Sequence, residues 1–569
     1  MGIKKPNPKL SSVPNETNNK NSANANDNEN NAQQVNSGQT TASLVKKSSA
    51  LSLLTLFSRI LGLLREMTKA SFLGTSALSD AFSIAFLLPN LFRRLFAEGS
   101  ISVAFIPTFK EYLLENNREK TREFMSCIFT FLTFFVTLMV MAGILAAPLL
   151  VRLFGVEEYD ETVLLTRIMF PFLGFISLAA LFQGVLNSYH IFTPSGLAPI
   201  LLNIITILCA YVLSPFTQNP ARAMAIGIFI GGFLEAAIQF PFVLKRGQSF
   251  FFTSLKRAIT NPGTKKVLCL ISPTIIGMAA YQLNDLVSTA LAGRAGEGVV
   301  SSLQYSLRLQ ELILGVFAVS IGTVLLPNLT EYAKSSQWDI YNRRLISSMN
   351  IIALITIPIT FFSLLEGQSL IRLLFQNRSF DETSVKLTLS AFTFHMLGLL
   401  FIALNRILAP AFYAQSDTKS PTLAGIISFA VNICFAVLLI KPMRGAGIAL
   451  ALSLASAVNT ILLVVFLKRK PNVAMGTELI KILVYIFKIS IISGLAIIPV
   501  KFLSTITYAF FAGNGRIISY GVPLIINSIV YIIFGTIMLA LVRDKNLLAL
   551  VKMLKKETND GMMGTELEK

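Results

Sequence analysis

Residues 57–109 read FSRILGLLREMTKASFLGTSALSDAFSIAFLLPNLFRRLFAEGSISVAFIPTF. Two apolar runs here are each long enough to cross a bilayer, yet they carry Arg59, Arg65, Glu66, Asp80, Arg93, Arg94 and Glu98. An ionisable side chain costs free energy in hydrocarbon and is tolerated where it faces a water-filled cavity or a partner inside a helix bundle. The stretch therefore predicts spanning helices that line a polar passage.

The remainder of the chain agrees with a membrane bundle. Of 569 residues, 53% are apolar and 14% charged, and the mean hydropathy is +0.64, too apolar for a soluble chain of this length. A spanning helix needs about 20 mostly apolar residues. Dividing the chain at its polar breaks gives fourteen candidates, centred near residues 58, 94, 138, 176, 205, 232, 279, 315, 357, 398, 431, 456, 490 and 529. The expected fold is an all-α integral membrane protein of about fourteen transmembrane helices, in two six-helix lobes plus a C-terminal helix pair. Its expected divisions are a polar tail over 1–43, lobes over 44–250 and 251–472, the pair over 473–545 and a second tail over 546–569.

In a soluble protein the formal charge of +19 would suggest nucleic acid. Here the cations cluster in alternate connections: the N-terminal tail, Lys110 to Arg122, a loop with Lys245, Arg246, Lys256, Arg257, Lys265 and Lys266, then Lys334 to Arg344, Lys468 to Lys470 and the C-terminal tail. The intervening loops are poorer in them, and the one from Glu157 to Glu161 is acidic. The positive-inside rule then puts both termini in the cytoplasm. The first forty-odd residues, rich in Asn, Ser and Lys, predict a disordered tail and show no cleavable signal peptide. Cys127, Cys209, Cys269 and Cys434 sit in apolar runs without C-x-x-C spacing, so they are expected as small buried side chains. The two histidines, His190 and His395, are far apart, which argues against a His-based metal centre. No metal or cofactor is expected.

An internal echo pairs IPTFKEY at 106–112 with LPNLTEY at 326–332, an offset of 220 residues. That offset lays span 1 over span 7 and span 2 over span 8, as a duplicated six-helix unit would. Parallel repeats of this kind recur in transporters, with the substrate site between the halves.

On an ideal helix Arg59 and Glu66, seven apart, nearly superimpose, while Arg65 points about 120° from Arg59. Asp80, Arg94 and Glu98 fall within about 40° of one another, which would leave Arg93 for the cavity. Arg308, in SLQYSLRLQELILGV, is bracketed by Gln304 and Glu311, and the repeat would set it opposite the first-half cations. Guanidinium forks bind phosphate or carboxylate oxygens in bidentate fashion and stay charged. The alternative for these arginines, and for Arg167 and Arg406, is internal salt bridging or snorkelling from helix ends. Asp285 and Asn432 form a candidate cation site. Nothing resembles a phosphate-cradling Gly loop, a paired-carboxylate metal site or a Ser with a His base, so the sequence predicts a transporter and no enzyme.

The segments SRILGLLRE (58–66), SDAFSIAFLLPNLFRRLFAEGSISVAFIP (79–107), TRIMFPFLGFISLAALFQGVLNSYHIFTPSGLAPILLN (166–203), LRLQELILGVFAVSIGTVLLP (307–327) and ILAPAFYAQSDTKSP (407–421) resemble the MurJ (MviN) lipid II flippases. The resemblance runs over roughly residues 48–545. It implies membership of the superfamily that also holds the MATE drug exporters, and fourteen helices in two lobes with both termini cytoplasmic. It implies movement of lipid II, the undecaprenyl-diphosphate-linked peptidoglycan precursor, from the cytoplasmic to the periplasmic leaflet of the bacterial inner membrane by alternating access. Lipid II, membrane lipids and cell-wall synthesis proteins are the implied partners. The resemblance also implies substrate roles for Arg59, Arg65, Arg93 and Arg308, motif roles for Asp80 and Glu98, and a lipid-tail groove from the last two helices.

Three positions depart from the family pattern. Leu87 stands where a Lys often occurs, Leu307 where an Asp often precedes the arginine, and Ser288 where some similar proteins carry Asp or Asn. The competing readings are a transporter of another lipid-linked saccharide or amphiphile on the same scaffold, a membrane enzyme acting on the precursor, and a non-transporting scaffold for wall synthesis.

Overall fold

A backbone in hydrocarbon must satisfy its own hydrogen bonds, so the apolar runs become helices. The computed structural model describes residues 54–95 and 100–547. The two tails and Glu98 lie outside the described residues, apart from the first two positions of the C-terminal tail. The helices are α1 (54–73), α2 (Ala77–Arg93), α3 (Ser100–Leu114), α4 (Arg118–Arg152), α5 (Tyr159–Met169), α6 (Phe172–Ser188), α7 (Thr193–Leu213) and α8 (Pro220–Leu244). They continue with α9 (Leu255–Thr260), α10 (Pro262–Gly293), α11 (Val299–Lys334), α12 (Trp338–Phe375), α13 (Glu382–Leu397), α14 (Leu399–Tyr413), α15 (Lys419–Lys468), α16 (Met475–Phe510) and α17 (Val522–Leu541). All packing described below lies within one unit, from Ser58 onward.

Local chemistry sets the boundaries. The side chains of Ser76, Asn117, Asn219, Asn261 and Asp381 accept backbone N–H groups at the starts of α2, α4, α8, α10 and α13, as N-caps do. Pro220 and Pro262 follow two of these caps, where a missing N–H costs nothing. Asn116, His190, Ser336 and Ser416 take positive φ just past helix ends. His190 is therefore a turn residue, and His395 lies buried with its Nδ1 2.6 Å from Ser306 Oγ.

The order of elements repeats. α4 opens at Arg118 and α12 at Trp338, 220 residues later. α2 opens at Ala77 and α11 at Val299, and α3 and α11 end at Leu114 and Lys334.

The 50 residues of α15 would reach about 75 Å as a straight rod. Instead Arg444 has φ 49 and ψ −127. Beyond that break the chain doubles back, so Ser428 Oγ donates to Ala455 O at 2.8 Å and Lys470 Nζ pairs with Asp417 at 2.7 Å. The spans expected near 431 and 456 are the two limbs of this hairpin.

Among the described residues eight helices qualify as spans by length and apolarity, or nine when the pair α13 and α14, bent by 44°, counts as one. The α15 hairpin adds a tenth. The count of fourteen expected from sequence also takes in α1, α2 with α3, α10 and α11, which this measure does not include. Arg59, Arg65, Glu66 and Lys69 all fall within α1, and charge dilutes the apolarity by which a span is recognised.

The outward faces of α4, α16 and α17 display large apolar side chains, among them Leu145, Leu149, Phe487, Phe502, Ile525 and Ile532, as a surface solvated by lipid should. Cys127 is buried, but Cys209 is half-buried and Cys269 and Cys434 are exposed, against the expectation that all four are buried. In a bilayer the outer face is as apolar as the core, so an apolar run does not distinguish the two.

Candidate functional site

The turn between α1 and α2 packs tightly against α11 and α13. Asp80 accepts the N–H groups of Gly298 and Ser301 at 2.8 and 2.7 Å, so a carboxylate from α2 caps the N-terminus of α11. Glu297, just before α11, accepts the Ala77 N–H at 2.9 Å and returns the contact to α2. Anions at helix N-termini complement the exposed N–H groups and the dipole. Tyr305 donates its hydroxyl to Gly74 O at 3.0 Å, and the Thr75 and Ser384 hydroxyls lie 2.8 Å apart. Gly74, with φ +57, and Gly298, with φ +77, leave no room for a Cβ: one would strike the Ser379 carbonyl, the other that of Thr75. This end is sealed.

Away from the seal, α1 carries a ladder of cations. At about 1.5 Å per residue, Lys69, Arg65 and Arg59 lie roughly 7, 13 and 22 Å below Gly74 along the axis. Arg65 pairs with Glu66 at 3.0 Å and its guanidinium lies 5.5 Å from the Phe86 ring centre. Lys69 pairs with the other Glu66 oxygen at 3.3 Å, donates to Ser83 Oγ and Gln304 Oε1 at 3.1 and 3.4 Å, and sits 4.4 Å over the Tyr305 ring.

At the foot of the ladder Arg59, Leu63, Arg308, Glu311, Leu312, Gly315 and Arg406 enclose a cavity of about 220 Å³. Two glycines make this possible. The Arg308 guanidinium occupies the place a Cβ on Gly62 would take, and Arg59 occupies that of Gly315. Each helix thus gives its neighbour's arginine a notch. Arg308 pairs with Glu311 at 3.6 Å, while no carboxylate pairs with Arg59 or Arg406 among the described residues. Three guanidiniums against one carboxylate leave the cavity positive. Its volume is below that of pockets for drug-sized ligands, so it suits one anionic group of a larger molecule.

Several expected pairings differ from the observed ones. Glu66 binds Arg65 and Lys69, not Arg59, because seven residues superimpose in projection but stand about 10 Å apart along the axis. Arg94 reaches Asp285 on α10 at 3.7 Å, and Asp80 serves the α11 N-terminus instead of Arg94. Arg93 donates to Asn90 Oδ1 at 2.7 Å. The candidate cation pair is divided: Asp285 faces Arg94, whereas Asn432 donates to Asn284 and Ser288 at 2.7 and 3.0 Å. Among the described residues no three His, Cys, Asp or Glu side chains cluster as metal ligands. Sequence reasoning passed over Lys69 and left Arg406 open between a cavity role and internal salt bridging or snorkelling. The signal for Lys69 was its i, i+3 spacing from Glu66.

The C-terminal helices are pinned by a second buried acid. Glu366 on α12, 3% exposed, accepts from Tyr508 on α16 at 2.6 Å and Asn527 on α17 at 2.8 Å.

Residues 69–521 match the family model described as lipid II flippase MurJ. A protein of Treponema pallidum named probable lipid II flippase MurJ is 46% identical over 510 residues, covering 89% of this chain and 97% of the relative. One of Vibrio cholerae with the same name is 32% identical over 433 residues, 74% and 82% of the two chains. Among solved structures, a lipid II flippase MurJ in an inward closed conformation is similar with a TM-score of 0.71 at 25% identity, covering 87% of this chain and 99% of that one. An inward-facing MATE family transporter of the MOP superfamily shares the fold, with a TM-score of 0.62 at 12% identity over 74% and 96%.

Proposed function

This chain belongs to the lipid II flippase MurJ family, and from that premise we propose how it moves lipid II across the bacterial inner membrane. The observation that carries the proposal is the positive cavity built by Arg59 on Gly315 and Arg308 on Gly62. A diphosphate offers oxygens to several guanidinium forks at once. Arg59 and Arg308, with Arg406, receive it first. Arg65 lies further up the ladder, and Arg93 contributes from α2. The saccharide–peptide extends past the cavity, whose volume fits the diphosphate alone.

The basic loops orient both termini to the cytoplasm, so the sealed end from Gly74 to Asp80 faces the periplasm and lipid II enters from the cytoplasmic leaflet. Alternating access then consists of breaking the Asp80–α11 and Glu297–α2 caps while the cytoplasmic ends of the halves approach. The division into 44–250 and 251–472 is supported by the 220-residue offset between α4 and α12. The pair over 473–545, with its outward apolar faces, offers the prenyl tail a path beside the second half. Cell-wall synthesis proteins are the partners that would consume the product. The chain transports and does not catalyse.

Depletion followed by a measurement of lipid II accessibility at the outer leaflet tests this. Externalisation should fall and return with the plasmid-borne chain; undiminished externalisation, or loss of another lipid-linked saccharide alone, would overturn it.

A further inference from the structure

We propose that Lys69 is a positioning residue that couples occupancy of the cation ladder to the seal between the halves, an inference that rests on the flippase reading above. Lys69 is 3% exposed and its partners divide between the halves. Glu66 and Ser83 belong to α1 and α2; Gln304 and Tyr305 belong to α11. The Tyr305 ring that lies under the ammonium carries the hydroxyl that closes on Gly74. One side chain therefore touches both the cation and the seal.

Glu66 sets the balance. Arg65 holds its Oε1 at 3.0 Å and Lys69 its Oε2 at 3.3 Å. A diphosphate arriving on the ladder takes the Arg65 fork, because its two oxygens can fill a guanidinium edge that Glu66 holds through Oε1 alone. Lys69 is then the remaining ion-pair partner of Glu66 among the described residues. Its ammonium is a compact charge on a flexible stem, and it moves toward Glu66 and off Gln304 and the Tyr305 ring. The second half loses a cation–π contact and a hydrogen bond at the seal. Opening becomes easier with the anion bound than without it, which is the condition for a ligand to shift a conformational equilibrium.

The test uses the full chain in proteoliposomes, its native cysteines replaced by Ser. Thr75→Cys/Ser384→Cys serves as the reporter, since these hydroxyls lie 2.8 Å apart in the sealed state. Lipid II should lower the cross-linking yield several-fold. Lys69→Met should give a low yield with or without lipid II, and transport reduced by about tenfold or more; Lys69→Arg should keep much of the response. Glu66→Gln, which keeps the side-chain shape, should give a high yield that lipid II does not lower. Opposite baselines in the two variants distinguish coupling from loss of packing. A normal lipid II response in either Lys69→Met or Glu66→Gln overturns the proposal, and Glu66→Gln decides alone if Lys69→Met does not fold. A reporter that ignores lipid II with both charges intact overturns the flippase reading and the coupling with it.

Discussion

Gly62 and Gly315 decide where two guanidiniums sit. A methyl group at either position overlaps the arginine of the facing helix, so Gly315→Ala should displace Arg59 and Gly62→Ala should displace Arg308. Small misplacements of binding groups cost large factors in rate, and each variant should lower lipid II externalisation about tenfold at unchanged protein level. Gly174→Ala, where a Cβ meets nothing within 4 Å, is the control and should behave as the parent. The chemistry of these arginines was legible in the sequence, because charge at membrane depth demands a reason. Their partners were not. Helical angle placed Glu66 under Arg59 and Asp80 near Arg94, but projection ignores axial distance and cannot see α10 or α11 arriving from 200 residues away. Lys69 and Arg406 show the same limit, since their roles come from neighbours contributed by other helices.

Helix ends and kinks carry the next level of order. α15 qualifies as one element by hydrogen bonding, yet the left-handed turn at Arg444 folds it into a hairpin whose ends are clasped by Asp417 and Lys470 at 2.7 Å. Burial of Asp417 works to raise its pKa, but Lys470 and the Ser420 backbone N–H and hydroxyl outweigh it and hold the carboxyl at about 2, below its ordinary 3.8. A lowered folded-state pKa contributes stability that is complete above the unfolded value and is lost as the pH falls through the folded one. Thermal unfolding in detergent should therefore show a drop between pH 3.8 and about 2 that is smaller in Asp417→Asn. The C-terminal pair depends on a different contact. Glu366→Leu would leave Tyr508 and Asn527 without their acceptor, and an orphaned buried polar group costs about 1–3 kcal/mol. A lowered melting temperature, with α16 and α17 more open to proteolysis, is the expected result; an unchanged melting temperature would show that the pair is held by its apolar contacts alone.

At the scale of the whole molecule, α2 and α11 cap each other at one end, and the positive cavity lined by Arg59, Arg308 and Arg406 lies away from that contact. The proposed orientation makes a direct prediction: with native cysteines removed, Ser254→Cys in the basic loop should react with an impermeant maleimide only after permeabilisation, and Asp160→Cys in the acidic loop should react in intact cells. Labelling in the reverse order would invert the transport direction. The sequence by itself determined that the chain is a helical membrane protein with cations in its interior, because hydrocarbon selects apolar runs and makes each buried charge conspicuous. It also carried the repeat, through an offset that the helix boundaries preserve. Only the tertiary structure decided which acid serves which base, where the halves seal and which cations reach the cavity. Those outcomes depend on distances of a few ångströms between helices far apart in the chain, and on glycines whose value lies in the arginine that replaces their missing side chain.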